Sequence, residues 1–101
     1  MHKMYCIVRK DDAMSNPSYQ ACQGGHAIAQ YFLDHGNHDI WDNGTMVYLR
    51  AASEQHLLKI KDELERDGVK HSTFIEPDTG NQYTALACID TGERFKKLSL
   101  L

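Results

Sequence analysis

Six consecutive residues, Thr84-Ala-Leu-Ala-Cys-Ile89, form an apolar run with no polar alternation. A strand with one face in water alternates apolar and polar side chains, and a strand without that alternation is covered on both faces. Such a strand belongs at the centre of a sheet with helices packed on it. The expected class is therefore three-layer α/β.

The rest of the chain supplies the partners. Met4–Lys10 is rich in β-formers and reads as a first strand. Asp11–Ser15 reads as a polar loop. Asn16-Pro17 is a helix start, because Asn caps and Pro fits the first helical position, and Gly36 is a stop. The first helix is predicted over 17–35. Thr45–Ala51 is a second strand. Ser53 caps a second helix, Glu54–Asp67, whose core face is Leu57, Ile60 and Leu64 and which Gly68 ends. Val69–Glu76 is a third strand, Pro77–Tyr83 a turn-rich loop and Thr84–Ile89 the fourth strand. The order β-α-β-α-β-β predicts a four-stranded mixed sheet with helices packed on it. Its 101 residues are expected to form a single domain, 1–101. Thr91–Leu101 reads as a short helical or extended tail.

The first helix has two stripes. Ala21, Gly25, Ile28, Ala29 and Phe32 are predicted to face the core. Tyr19, Gln23, His26 and Gln30 form a polar stripe that lacks the Lys and Glu of an ordinary solvated face. Two glycines inside the helix cost roughly 1 kcal/mol each relative to alanine. Close packing or a nearby ligand is the expected offset.

Composition narrows the function. The net charge of −3 argues against a general grip on nucleic-acid phosphates, so RNA binding would need a local patch. The candidates are Arg9-Lys10, Arg50 and Lys96-Lys97. Cys6, Cys22 and Cys88 are odd in number and widely spaced, and are expected to be reduced structural thiols. His35 and His38 beside Asp34 and Asp39 offer a weak metal pattern, and a solvated loop is the preferred reading, so no metal or cofactor is expected. Lys59–Glu63, Lys61–Glu65 and Asp62–Arg66 are i,i+4 pairs of a solvated helix face. No apolar run is long enough to span a membrane and no leader is evident, which makes a cytoplasmic location the expectation.

Two segments resemble a known family. Gln20-Ala-Cys-Gln23-Gly-Gly-His26-Ala27 resembles the helix-one motif of the type II peptidyl-tRNA hydrolases, Lys-x-Ala-Ala-Gln-x-x-His-Ala. Phe74-Ile-Glu76-Pro-Asp78 followed by Thr84-Ala-Leu-Ala resembles that family's third strand, acidic loop and last strand. Val8-Arg9-Lys10-Asp11 and the Lys97–Leu101 end add to the likeness. The resemblance implies metal-independent hydrolysis of the ester joining a peptide or N-blocked amino acid to the 3′ end of tRNA, with tRNA as partner. It implies catalytic roles for His26, Thr84 and either Glu76 or Asp78. It places Tyr19, Gln23, Asn81 and Gln82 at the substrate. Two departures stand out: Tyr19 occupies the position of the family's helix lysine, and the loop before Thr84 is short. The Pro77-Asp78-x-x-Asn81-Gln82-x-Thr84 segment resembles instead a divergent branch of the same fold, found among bacterial and phage proteins. Tyrosine cannot supply a fixed positive charge to a phosphate or an oxyanion.

For each candidate a plainer role competes. His26 could tie helix to sheet, Glu76 and Asp78 could serve the turn, and Thr84 could be an ordinary strand residue. The other class of function is a non-catalytic binding module of the same fold, for RNA or for a protein partner. A homodimer through Phe95, Leu98, Leu100 and Leu101 is compatible with either.

Overall fold

The apolar run lies in the longest strand of a four-stranded mixed sheet. The computed structural model describes residues 1–36 and 40–101. The elements are β1 (Lys3–Arg9), α1 (Pro17–His35), β2 (Met46–Ala51), α2 (Glu54–Arg66), β3 (His71–Glu76) and β4 (Gln82–Asp90), with short 3₁₀ turns at Asp12–Met14, Pro77–Thr79 and Glu93–Phe95. The sheet order is β2-β1-β4-β3. β1 and β2 are parallel, and β4 runs antiparallel to both β1 and β3. The predicted class and element order hold. Boundaries differ by a few residues, most at β4, which begins at Gln82. Among the described residues no helix is long and apolar enough to cross a membrane.

Two cores follow from strand alternation. Met4, Cys6 and Val8 of β1 join Ala85, Ala87 and Ile89 of β4 under α1. Tyr5, Ile7, Leu86 and Cys88 face the other way and meet Leu57, Ile60 and Leu64 of α2. β1 is therefore as central as β4. Burying each of the three α2 side chains contributes about 1.5–3 kcal/mol. Asn16 Oδ1 accepts from the N–H groups of Ser18 and Tyr19, and Ser53 Oγ accepts from that of His56, so both predicted caps form. Of the three i,i+4 pairs on α2, Lys61–Glu65 closes, at 2.6 Å. Trp41 packs against the α1-side core, and its indole N–H donates to the Thr45 carbonyl.

The α1 core stripe differs from the expected one. The buried residues are Gln20, Gln23, Gly24, Ala27 and Tyr31, while Ala21, Gly25 and Ala29 are exposed. The reason is that two glutamines are buried with partners, and apolarity alone could not reveal them. Gln20 Nε2 donates to the Met14 carbonyl at 2.7 Å. The glycines also separate. A Cβ on Gly24 would sit 2.8 Å from Tyr48 Cε2 and 3.1 Å from Cys6 Sγ, whereas one on Gly25 meets nothing within 4 Å. Gly24 thus lets the helix lie close on the sheet. Gly24→Ala is expected to destabilise by about 1–2 kcal/mol, overpacking outweighing helix propensity. Gly25→Ala is expected to stabilise by about 0.5–1 kcal/mol. Urea unfolding of both variants checks the opposite signs.

Cys6 and Cys88 are buried, and burial pushes each thiol up to about 12. Cys22 is exposed, contrary to its expected place as a small core hydrophobe, because it lies on the side of α1 away from the sheet, beside Ala21 and opposite buried Gln20, Gln23 and Gly24. The tail folds back on its own chain. Phe95 is buried against Tyr5, Leu98 joins the α2-side core and Leu101 the α1-side core. Leu100 pairs with Leu49 on the outer edge of β2, and Leu100 alone of the four apolar tail residues is exposed. Three of the four side chains expected to mediate self-association therefore serve the monomer's own cores. Of the weak metal pattern, His38 and Asp39 lie outside the described residues. Asp34 accepts from Ser72 Oγ at 2.6 Å, and His35 Nε2 lies 3.0 Å from the His71 carbonyl.

Candidate active site

The α1–β3 contact is a ladder of polar and aromatic rungs. β3 presents Ser72, Phe74 and Glu76 at alternate positions, all on one face. They meet Asp34, His26 and Gln23 of α1 in turn. The last rung, at the C-terminal end of β3, is the candidate site.

There Thr84 Oγ donates to Gln23 Oε1 at 2.6 Å, and Gln23 Nε2 donates to Glu76 Oε2 at 3.0 Å. All three residues are buried. The network sets the amide's orientation, since a flipped Gln23 would turn its oxygen towards the carboxylate. Glu76 Oε1 also accepts the Asp78 N–H at 3.2 Å. The Gln23 bond first, and the Asp78 N–H second, hold the Glu76 carboxyl below its usual range. Glu76 is thus ionised and a poor proton acceptor. Its geometry suits orientation and electrostatics better than general-base work.

Thr84 reaches Gln23 through a β-bulge. Strand pairing passes from Phe74↔Ala85 to Ile75↔Tyr83, leaving Thr84 without an opposite residue. Strict alternation would place Thr84 with Leu86 and Cys88, on the α2 side. The bulge turns it to the α1 side beside Ala85. Across the sheet, the Tyr83 N–H is taken up by Glu54 Oε2 at 2.8 Å.

His26 sits one turn along α1 from Gln23. It is exposed, and its ring stacks on Phe74 with centroids 4.5 Å apart and planes 14° from parallel. Among the described residues no hydrogen bond holds its nitrogens. Tyr19 is half-buried one turn before Gln23. Its phenol is pushed above its ordinary value by partial burial first, then by the charges of Glu76, Asp78 and Cys22. It stays protonated and can donate.

The remaining candidates divide. Asp78 is exposed at the rim and gives its N–H to Glu76. Asn81 is exposed and makes the turn, with φ 62° and its N–H donated to the Glu76 carbonyl. Gln82 Oε1 accepts from Arg9 Nη1 at 3.0 Å and is occupied there. Arg9, expected in a basic patch, is buried and paired with Asp11 at 2.9 Å. Sequence reasoning missed Phe74 as the platform for His26 and Glu54 as support for the bulge. Helical and strand registers could pair Phe74 with His26 only once the α1–β3 contact was known.

Comparison with known proteins decides the family. The model of the family described as peptidyl-tRNA hydrolase PTH2 matches residues 2–92. The chain belongs to the peptidyl-tRNA hydrolase PTH2 family. Comparison with curated proteins gave no match. The PTH2 match takes in every strand and both long helices and stops before the 3₁₀ turn at Glu93–Phe95. Within this PTH2 chain, Gln23, Glu76 and Thr84 form one hydrogen-bonded unit, with Tyr19, His26 and Asp78 around it.

Proposed function

We propose that the chain hydrolyses the ester bond of peptidyl-tRNA or of N-blocked aminoacyl-tRNA at the Gln23–Glu76–Thr84 cluster. The observation that carries this reading is the unbroken hydrogen-bonded chain from Thr84 through Gln23 to Glu76, beside a His26 that makes no hydrogen bond among the described residues, in a PTH2-family fold. In this reading His26, held flat against Phe74, accepts a proton from water as the water oxygen attacks the ester carbonyl carbon. The carbonyl electrons move to its oxygen, and the protonated Tyr19 hydroxyl donates to that oxyanion. The carbon–oxygen bond to the ribose then breaks, and His26 returns the proton to the ribose oxygen. Glu76 and Gln23 keep Thr84 and the cleft wall in place, and the Glu76 charge favours the imidazolium that forms. No step is routed through a metal.

Tyr19 in the lysine position favours a second reading, a binding module for RNA or a protein partner that has lost turnover. One experiment divides the two: release of N-blocked amino acid from acylated tRNA by purified protein, with His26→Ala alongside and a chelator in one set. Turnover that falls about 100-fold or more in His26→Ala, and that the chelator leaves alone, is the expected result. Turnover indifferent to His26 sinks the mechanism. A folded protein with none above the spontaneous rate leaves the binding module.

A further inference from the structure

The chain's overall acidity conceals a basic cleft. A cavity of about 260 Å³ opens where β1 and β2 end and the tail returns, walled by Lys10, Arg50, Ala52, His56, Lys97 and Ser99, with Leu98 as its apolar side. Among the described residues no acidic one lines it. Elsewhere most cations are paired: Arg9 with Asp11, Lys61 with Glu65, Arg66 and Arg94 with Asp67, Lys96 with Glu93. Among the described residues, Lys10, Arg50 and Lys97 have no ion pair. Lys10 Nζ reaches only the Leu101 main-chain oxygen, at 3.4 Å. His56 Nδ1 accepts the Ala52 N–H at 3.0 Å, which leaves the ring proton on Nε2 as a donor.

The tail builds this cleft. Arg50 N donates to the Ser99 carbonyl, and Leu101 N to the Tyr48 carbonyl, pinning Lys97–Ser99 beside β2. These residues lie beyond the stretch that matches the family. The cleft also shares an end of the sheet with the candidate site. β1 and β2 finish at Arg9 and Ala51, β3 finishes at Glu76, and antiparallel β4 starts at Gln82. β2 and β4 are two strand spacings apart, about 10 Å.

We propose that this cleft binds a backbone phosphate of an RNA strand whose 3′ end reaches the Gln23–Glu76–Thr84 cluster. The proposal rests on the RNA substrate of the proposed function and assigns the strand a second anchor. Three cations without an ion pair among the described residues, and an imidazole N–H, around a cavity of this size suit a phosphodiester, which presents charge and several acceptor oxygens at once. Such a contact adds affinity and position without sequence preference.

The test uses the full chain and an unacylated RNA hairpin with a single-stranded 3′ end, titrated over a range of salt. The double variant Arg50→Gln/Lys97→Gln removes two exposed charges from the cleft. Lys3→Gln/Lys70→Gln removes the same net charge elsewhere. The cleft variant is expected to bind at least tenfold more weakly, with a salt slope shallower by about one, while the control variant binds like wild type. Equal losses in both variants, or none in the cleft variant, overturn the proposal. Inorganic phosphate alone, followed through the amide shifts of His56 and Ser99, distinguishes a free-anion site. Saturable phosphate binding with RNA affinity insensitive to Arg50 and Lys97 also overturns the RNA assignment. Hydrolysis is not read, so an inactive wild type that binds RNA through the cleft defeats the hydrolase reading and leaves this one standing.

Discussion

Gln23→Met is expected to destabilise the fold by about 2–4 kcal/mol at neutral pH, because it leaves buried polar groups without their partners. Methionine fills the volume, so the loss comes from hydrogen bonds and not from a cavity. Thr84 keeps a weaker fallback in the Phe74 carbonyl at 3.4 Å, but Glu76 loses the stronger of its two donors. The pH dependence identifies the cause. Glu76 is held below its ordinary value in the folded protein. Its contribution is therefore fully present above the unfolded carboxyl value, roughly pH 4.3, and is lost as pH falls through the folded value. In Gln23→Met that advantage is largely gone at every pH. The gap between variant and wild type should be widest at neutral pH and narrow in acid, as pH falls through the lowered folded value of Glu76. Urea unfolding at neutral and at acid pH measures it. A gap of constant size would mean that Gln23 acts through packing and not through the carboxylate.

Gly92→Ala should be comparably damaging at a place far from the chemistry. Gly92 has φ 92°, which a side chain rarely adopts, and a Cβ there would run into the Tyr5 hydroxyl and come within 2.6 Å of Tyr5 Cζ. The strained backbone costs about 1–2 kcal/mol and the overpacking about 1–3 kcal/mol. Melting should fall by roughly 10–20 °C in a chain of this size. Tyr5→Phe removes the nearest colliding atom, so the double variant Tyr5→Phe/Gly92→Ala should recover part of the loss. Strict additivity of the two substitutions would show that the collision is not what matters. Gly92 also starts the turn that seats Phe95, so the variant reports how firmly the tail is docked.

What the sequence made legible was whatever follows from local periodicity. Thr84–Ile89 announced a strand covered on both faces, and Asn16, Ser53 and Gly68 marked helix ends because capping chemistry is local. Gln23, Glu76 and Thr84 were visible as candidates only by resemblance. Nothing in spacing alone could show that they bond to one another, since they come from three elements up to 61 residues apart in sequence. The α1 face was misassigned because Gln20 and Gln23 are buried polar residues, and their partners, Met14 and Glu76, belong to tertiary structure. The different settings of Glu76 and Asp78 likewise belong to the fold: Glu76 accepts from Gln23, while Asp78 sits at the rim and gives its N–H to that carboxylate. The bulge at Thr84 has no sequence mark, although it alone aims the hydroxyl at α1.

The middle ladder of the sheet also dictates the order in which the molecule can be assembled. β1 pairs with β4 from Lys3↔Asp90 to Val8↔Ala85, so the first strand waits for the last. β1 and β2, joined through α1, can meet early, but the inner edge of β1 then has no neighbour and both its apolar faces are only partly covered. Contacts this distant in sequence are slow to close, and an open apolar edge invites pairing with another chain in the interval. A nascent chain halted before β4 should therefore be an aggregation hazard and a client for chaperones, with the final strand as the piece that makes the rest soluble.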